Sequence, residues 1–265
     1  MNLSLSGNEL SFGNIIPWDQ VTPSQYYKFF LRGIQSTGSG VPVDSSGQGN
    51  HATLGSATDA EVWGTNVGWM SSVVDAAATQ QGATLASSIV GYNFNAASPL
   101  TSIFAMRFAG TIATSTGVVG AQNSAAAKGW RIGANAGNDL TVGIGDGTTY
   151  DATEAGKTWI DAWDGTERHV VVVLDGLTKI CHIYANGVLL SSADFSTCVG
   201  DSTAIVNWGF GHTGSTSNGN TLAGKYRDAH LLIVPGGIPA NMAAIAKLFY
   251  SRSFVPLKDS EIDLG

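Results

Sequence analysis

Charge is scarce in this 265-residue sequence. Thirteen Lys and Arg stand against twenty Asp and Glu, 12% of the chain in all, with a net charge of −7. The basic residues are scattered and form no run, which excludes a surface built to neutralise phosphates, since nucleic-acid affinity rests on clustered Lys and Arg. No nucleic-acid partner is expected. Apolar runs are equally short: none approaches the ~20 residues that span a bilayer, so no membrane partner is expected. Cysteine is reduced to Cys181 and Cys198, too few for a disulfide framework, and both are expected as buried thiols.

Signatures of catalysis are missing too. There is no Gly-x-Ser-x-Gly elbow, and the Gly-rich stretches lack the Lys-Ser/Thr of a phosphate loop. The five histidines, at 51, 169, 182, 212 and 230, fall on separate segments without zinc-ligand spacing. Asp151 and Glu154 lie close in sequence but read as solvated loop carboxylates. The first residues, with Leu3, Leu5 and Glu9, have no basic start and no sustained apolar stretch, so they do not read as a secretory signal. The chain is then expected either as a fragment of a longer secreted protein or as a product of the cytoplasm that reaches the outside by another route.

What the sequence does contain is β-structure. Thirty-four glycines, with frequent Ala, Ser and Thr, make a small-residue, turn-rich composition. Asn186-Gly187 is a strong hairpin signal, because a two-residue type I′ turn needs positive φ at both central positions. It predicts that Ala185 faces Val188, Tyr184 faces Leu189, Ile183 faces Leu190 and Cys181 faces Ser192. Alternation then places Cys181, Ile183, Ala185, Val188 and Leu190 on the core side, with His182, Tyr184, Leu189 and Ser191 on a half-exposed side. Upstream, the unbroken run 170–174 suits a central strand covered on both faces, ending at Asp175-Gly176.

Further strands are expected at 26–32, 100–108, 118–121, 130–134, 140–144 and 158–160, separated by turn signals such as Gly137-Asn138 and Asp146-Gly147. In the 100–108 segment Ile103, Ala105 and Arg107 oppose Phe104, Met106 and Phe108. Residues 36–50 read as a Gly/Ser-rich loop and 76–83 as a short helical turn. After Pro239, Met242, Ile245, Ala246 and Phe249 follow helical spacing, broadened by Leu248, and predict one C-terminal helix packed on the sandwich edge. The fold expected is all-β: an antiparallel two-sheet β-sandwich with one short C-terminal helix. Residues 1–25, apolar but interrupted by Pro17 and Pro23, are expected as an N-terminal arm, 26–252 as the domain, and 253–265 as an acidic tail.

Four segments in order resemble the laminin-G-like jelly rolls of the concanavalin A-like superfamily. They are the Asp44-Ser45-Ser46-Gly47 to Asn50 loop, the His169 to Asn186-Gly187 hairpins, Trp208-Gly209-Phe210-Gly211, and Gly224-Lys225-Tyr226-Arg227-Asp228. That resemblance implies a calcium site at the rim, with Asp44, Asn50 and Asp228 as the positions to inspect; the alternative is that Asp44 and Asn50 order a turn. It also implies sugar recognition through aromatic faces and polar neighbours, with Trp130, Tyr150, Trp208 and His212 as candidates, although aromatics in a sandwich are usually core. The superfamily's glucanases carry Glu-apolar-Asp-x-x-Glu, of which Glu261-Ile262-Asp263 mimics only the first half. A retaining hydrolase needs a second carboxyl roughly 5 Å away, so no enzyme is expected.

The leading expectation is therefore a non-enzymatic virion structural or interaction protein, a capsid decoration or tail-associated component of a bacteriophage, forming homo-oligomers and contacting other virion proteins. The alternative is a carbohydrate-binding module or adhesin that recognises host surface glycans. A glycoside hydrolase of the same superfamily comes third.

Overall fold

The computed structural model describes residues 21–36, 42–54, 70–72, 83–85, 99–111, 116–123, 128–134, 139–145, 162, 164–197, 208–210, 223–253 and 255–265. In chain order its elements are β1 (Tyr27–Ser36), β2 (Pro42–Asp44), β3 (Ala52–Leu54), β4 (Met70–Ser72), β5 (Ala83–Leu85), β6 (Leu100–Thr111) and β7 (Thr116–Asn123). There follow β8 (Lys128–Ala134), β9 (Leu140–Ile144), β10 (Arg168–Asp175), β11 (Ile180–Ala185), β12 (Val188–Asp194), β13 (Trp208–Phe210), β14 (Ala223–Pro235), α1 (Met242–Ser251) and a 3-10 turn, Asp259–Glu261. Among the described residues, one sheet of eight strands runs β12-β11-β10-β6-β14-β1-β2, with β4 also beside β14. The second, of six, runs β3-β5-β13-β7-β8-β9. The fold is an all-β antiparallel sandwich with, among the described residues, one short α-helix, as its turn spacing predicts.

The eight-stranded sheet is covered on both faces, and alternation along β6 shows how. Phe104 points to the second sheet and meets Trp130 of β8 edge-on at 5.5 Å, while Phe29 of β1 packs on Phe104 at 6.5 Å. Trp130 and Phe104 are 0% and 1% exposed. Ile103 and Ala105 point the other way, into a cluster with Val171, Val173, Leu232, Tyr27 and Phe30, closed by Met242, Ile245, Ala246 and Phe249 of α1. These four are the helical stripe expected after Pro239. The run 170–174 is buried throughout because its alternate valines serve both cores. Burying each such side chain contributes roughly 1.5–3 kcal/mol.

Two short turns fix the central hairpins. Asp175 accepts from the amides of Leu177 and Thr178 and from the Thr178 hydroxyl, closing the β10–β11 connection. A Cβ on Gly176 would lie 1.9 Å from the Leu100 carbonyl oxygen, so only glycine fits there. At β11–β12, Asn186 and Gly187 have φ of 47° and 80°, the predicted positive pair.

The register beyond this turn departs from expectation. Ala185↔Val188 and Tyr184↔Leu189 hold, but a bulge follows: Ile183 faces Ser191 and Cys181 faces Ala193. One extra residue, Leu190, shifts everything after it. Nor do Val188 and Leu190 join the core, being 65% and 41% exposed, whereas Tyr184, expected half exposed, is buried under the helix side. Among the described residues β12 is the last strand of its sheet. Two other expectations change. Residues 42–44 pair as β2 within what reads as a loop, and Ala83 opens β5 rather than closing a helical turn. The tail packs: Leu257 and Ile262 are buried in the helix-side cluster, the Ser24 amide donates to the Leu257 carbonyl at 2.8 Å, and Arg252 pairs with Glu261 at 2.6 Å. The arm through residue 20, residues 76–82 and 158–160, Gly137-Asn138, Asp146-Gly147 and Cys198 lie outside the described residues; Cys181 is buried. No described helix is long and apolar enough to cross a membrane.

Candidate functional site

The helix side of the large sheet turns polar at one end. There Arg107 of β6 lies between His169 of β10 and Arg227 of β14 as register partners. Such a row of basic residues is held by what surrounds it. The Arg107 guanidinium donates through Nη2 to the Phe249 carbonyl at 3.3 Å and to the Tyr250 carbonyl. Its Nη1 is 3.4 Å from Glu167 Oε1 and its Nε 3.5 Å from Asp228 Oδ2. Glu167 Oε1 also accepts from Arg227 Nη2 at 2.6 Å. The last carbonyls of a helix have no partners within it and carry the negative end of its dipole. Arg107 therefore clamps the C-terminus of α1 to the sheet.

A bulge makes the geometry possible. Asp228 takes φ of 50°, and the register slips between Arg227↔Arg107 and His230↔Ala105. This brings Asp228 to Arg107 while keeping His230 inside the cluster, where it stacks on Phe30 at 4.2 Å and meets the Tyr27 hydroxyl at 3.0 Å. That hydroxyl also accepts from the Leu257 amide, and burial pushes its pKa far up. His169 is 1% exposed. Burial first, and then the Arg107 cation, push its pKa down to about 3, so the imidazole is neutral at ordinary pH. Its main chain is tied to the hairpin tip: the His169 amide donates to Asn186 Oδ1 at 3.0 Å, and the Asn186 amide to the His169 carbonyl at 2.9 Å.

Tyr250 surfaces from this network. It is 44% exposed, with the Arg107 guanidinium carbon 5.7 Å from its ring centre and the His169 ring at 6.0 Å. Buried Gly187 lies against its Cβ, and Glu167, 39% exposed, pairs with both Arg107 and Arg227, the latter 20% exposed. The arrangement offers a propped aromatic face with planar polar groups beside it. Such an arrangement is able to bind a ligand.

The residues singled out from sequence are dispersed. Trp130 is fully buried between the sheets, so its ring offers no face to a sugar. Trp208 lies on β13 opposite Leu85, its side chain outside the described residues, as are Tyr150, His212, Asp151 and Glu154. Asp44 and Asn50 share one turn: Asp44 accepts from the amides of Phe30, Ser46 and Asn50 and from the Ser46 hydroxyl, and Asn50 Nδ2 donates to the Lys28 carbonyl. Asp228 is engaged elsewhere with Arg107. These surroundings do not fit calcium: each Asp44 oxygen already accepts two hydrogen bonds, and Asp228 faces a cation. No group of three His, Cys, Asp or Glu fit for a metal occurs among the described residues. Glu261, of the partial glucanase motif, is bound to Arg252 and the Lys258 amide. Sequence reasoning missed Tyr250, Arg107, Glu167 and Arg227. Two signals existed: Arg107 alternates into an apolar face, and Tyr250 falls off the helical stripe.

No protein-family model and no curated protein matches this sequence. Solved structures do match in fold. A mutant of HCR/D aligns at a TM-score of 0.55 and 10% identity over 87% of this chain and 52% of its own. The binding domain of botulinum neurotoxin DC in complex with rat synaptotagmin II aligns at 0.52 and 12%, over 85% and 51%. Trypanosoma rangeli sialidase, as a covalent intermediate with 2,3-difluorosialic acid, aligns at 0.52 and 14%, over 87% and 33%. The chain thus spans about half the length of the binding domains and a third of the sialidase. At these identities the likeness establishes a shared β-sandwich fold.

Proposed function

We propose that this chain is a non-enzymatic binding module that recognises surface glycans at the Tyr250 rim. The carrying observation is the half-exposed Tyr250 ring, with the Arg107 guanidinium 5.7 Å and the His169 ring 6.0 Å from its centre, and with Arg107 joined to the exposed Glu167. A sugar stacks its C–H face on such a ring while its hydroxyls bond to planar side chains at the edge. The binding domain of botulinum neurotoxin DC, solved in complex with SialylT, has the same fold at a TM-score of 0.50 and 14% identity, which supports a lectin-like reading. Tyr150, Trp208 and His212 stay within the proposal as further contacts. The test is a glycan array with the full chain, followed by calorimetry on any hit. Tyr250→Ala is expected to weaken binding at least about tenfold, a loss of ~1.4 kcal/mol, with little change in melting temperature. A chain that binds no glycan on the array overturns the reading.

We further propose a virion as the setting in which the module is displayed, on sequence grounds. Charge is low, and residues 1–25 carry Phe12, Ile15, Ile16 and Trp18 in an arm suited to docking on a neighbouring subunit. Deleting residues 1–25 is expected to convert an assembly into a folded monomer, read as mass in solution; an unchanged mass removes the arm from that role.

A further inference from the structure

Strand β12 leaves three consecutive apolar side chains in solvent: Val188, Leu189 and Leu190 are 65%, 50% and 41% exposed. It is also the last strand of its sheet among the described residues. Edge strands are normally blunted by Lys, Pro or an inward charge, because their outer backbone groups otherwise template further pairing. The segment VLLSSAD has no such residue before Asp194; its one irregularity is the bulge at Leu190, beyond which 191–194 return to regular register. We propose that β12 pairs antiparallel with β12 of a second copy of this chain about a two-fold axis, joining two eight-stranded sheets.

Charge placement selects this occupant. Gly187, immediately before β12, packs on α1: a Cβ there would lie 3.3 Å from Lys247 Cα. Exposed Lys247 therefore stands at the start of the strand, and exposed Asp194 closes it. Antiparallel self-pairing sets start against end, so Lys247 of each copy comes beside Asp194 of the partner subunit, twice by symmetry. Residues 188–193 are all uncharged, so no like charges oppose each other along the paired strands. The contact is isologous and closes at two copies rather than growing into a fibre. It also places the two Tyr250 rims at opposite ends of the paired strands, which lets a weak monovalent ligand be held by avidity.

The contact is small beside the ~1,200 Å² at which specific interfaces begin, so a dimer dissociating at roughly tens of micromolar is expected. The experiment is sedimentation velocity of the full chain from about 1 to about 500 μM. A concentration-dependent monomer–dimer equilibrium is expected. Asp194→Lys alone and Lys247→Asp alone should each weaken it at least about tenfold, and the double exchange should restore it. Leu189→Lys should leave a monomer with unchanged circular dichroism. A wild-type chain that is monomeric throughout overturns the proposal, and so does a dimer indifferent to Leu189→Lys and to both single exchanges. Glycan binding by the Leu189→Lys monomer is read separately, so failure of the dimer and failure of the glycan reading are distinguishable.

Discussion

The two faces of the large sheet are buried by different means. Toward the second sheet, Phe29, Phe104 and Trp130 pack aromatic on aromatic. Toward α1, the apolar cluster ends in Arg107, Asp228, His169 and His230, all at most 7% exposed. An apolar face contributes stability in proportion to area and tolerates sliding, because dispersion is non-directional. Buried ions tolerate none. Removing one partner leaves the other desolvated and uncompensated, so the helix can sit only where Arg107 reaches both its terminal carbonyls and Asp228. The aromatic face holds the sandwich together, and the polar face decides where α1 ends and therefore where Tyr250 emerges.

The comparison can be broken by substituting one residue on each face. Trp130→Ala is expected to cost about 3–5 kcal/mol in denaturant unfolding through the cavity it leaves, while hydrogen exchange in 242–251 rises only with global stability. Arg107→Met should cost about 3 kcal/mol and, in addition, selectively raise exchange in 242–251 and weaken any ligand held at Tyr250. If both variants give the same exchange footprint, the two faces do not divide the work as described.

A smaller effect sharpens the same contrast. An unfolded histidine takes up its proton near pH 6.5, whereas His169 in the fold does so only near 3. Below 6.5 the unfolded state therefore binds the extra proton, and stability falls as pH drops, the loss being complete below about 3. From pH 7 to 5 this costs about 2 kcal/mol. Arg107 is its register partner and the Tyr250 ring lies 6.0 Å away, and neither offers the imidazolium a replacement for water. His169→Gln should flatten the pH dependence of unfolding between 7 and 5; an unchanged slope removes His169 as its source.

Much of the fold is legible in the sequence. Asn186-Gly187 marks its turn, Asp175-Gly176 the one before, and the stripe from Met242 to Phe249 marks the helix face that is buried. The register past Leu190 is not legible, because a bulge is chosen by how the last strand twists away from its neighbour. Trp130 shows the limit of composition: an aromatic suited to a sugar is equally suited to a core, and only its place on β8, opposite Phe104, decides between them. Asp228 shows the limit of motif. Its carboxylate reads as a rim ligand until the positive φ beside Arg107 assigns it to an ion pair.

By itself the sequence determined the long strands, the two central hairpin turns and, among the described residues, the helix. Those follow from interactions a few residues long: positive φ at a turn, alternation along a strand, and spacing along a helix. The tertiary structure alone decided the site. Arg107 meets Glu167 across 60 residues and the Phe249 carbonyl across 142. Contacts at such separations leave no period in the sequence, because they depend on which strands become neighbours and on which face of the sheet each side chain lies.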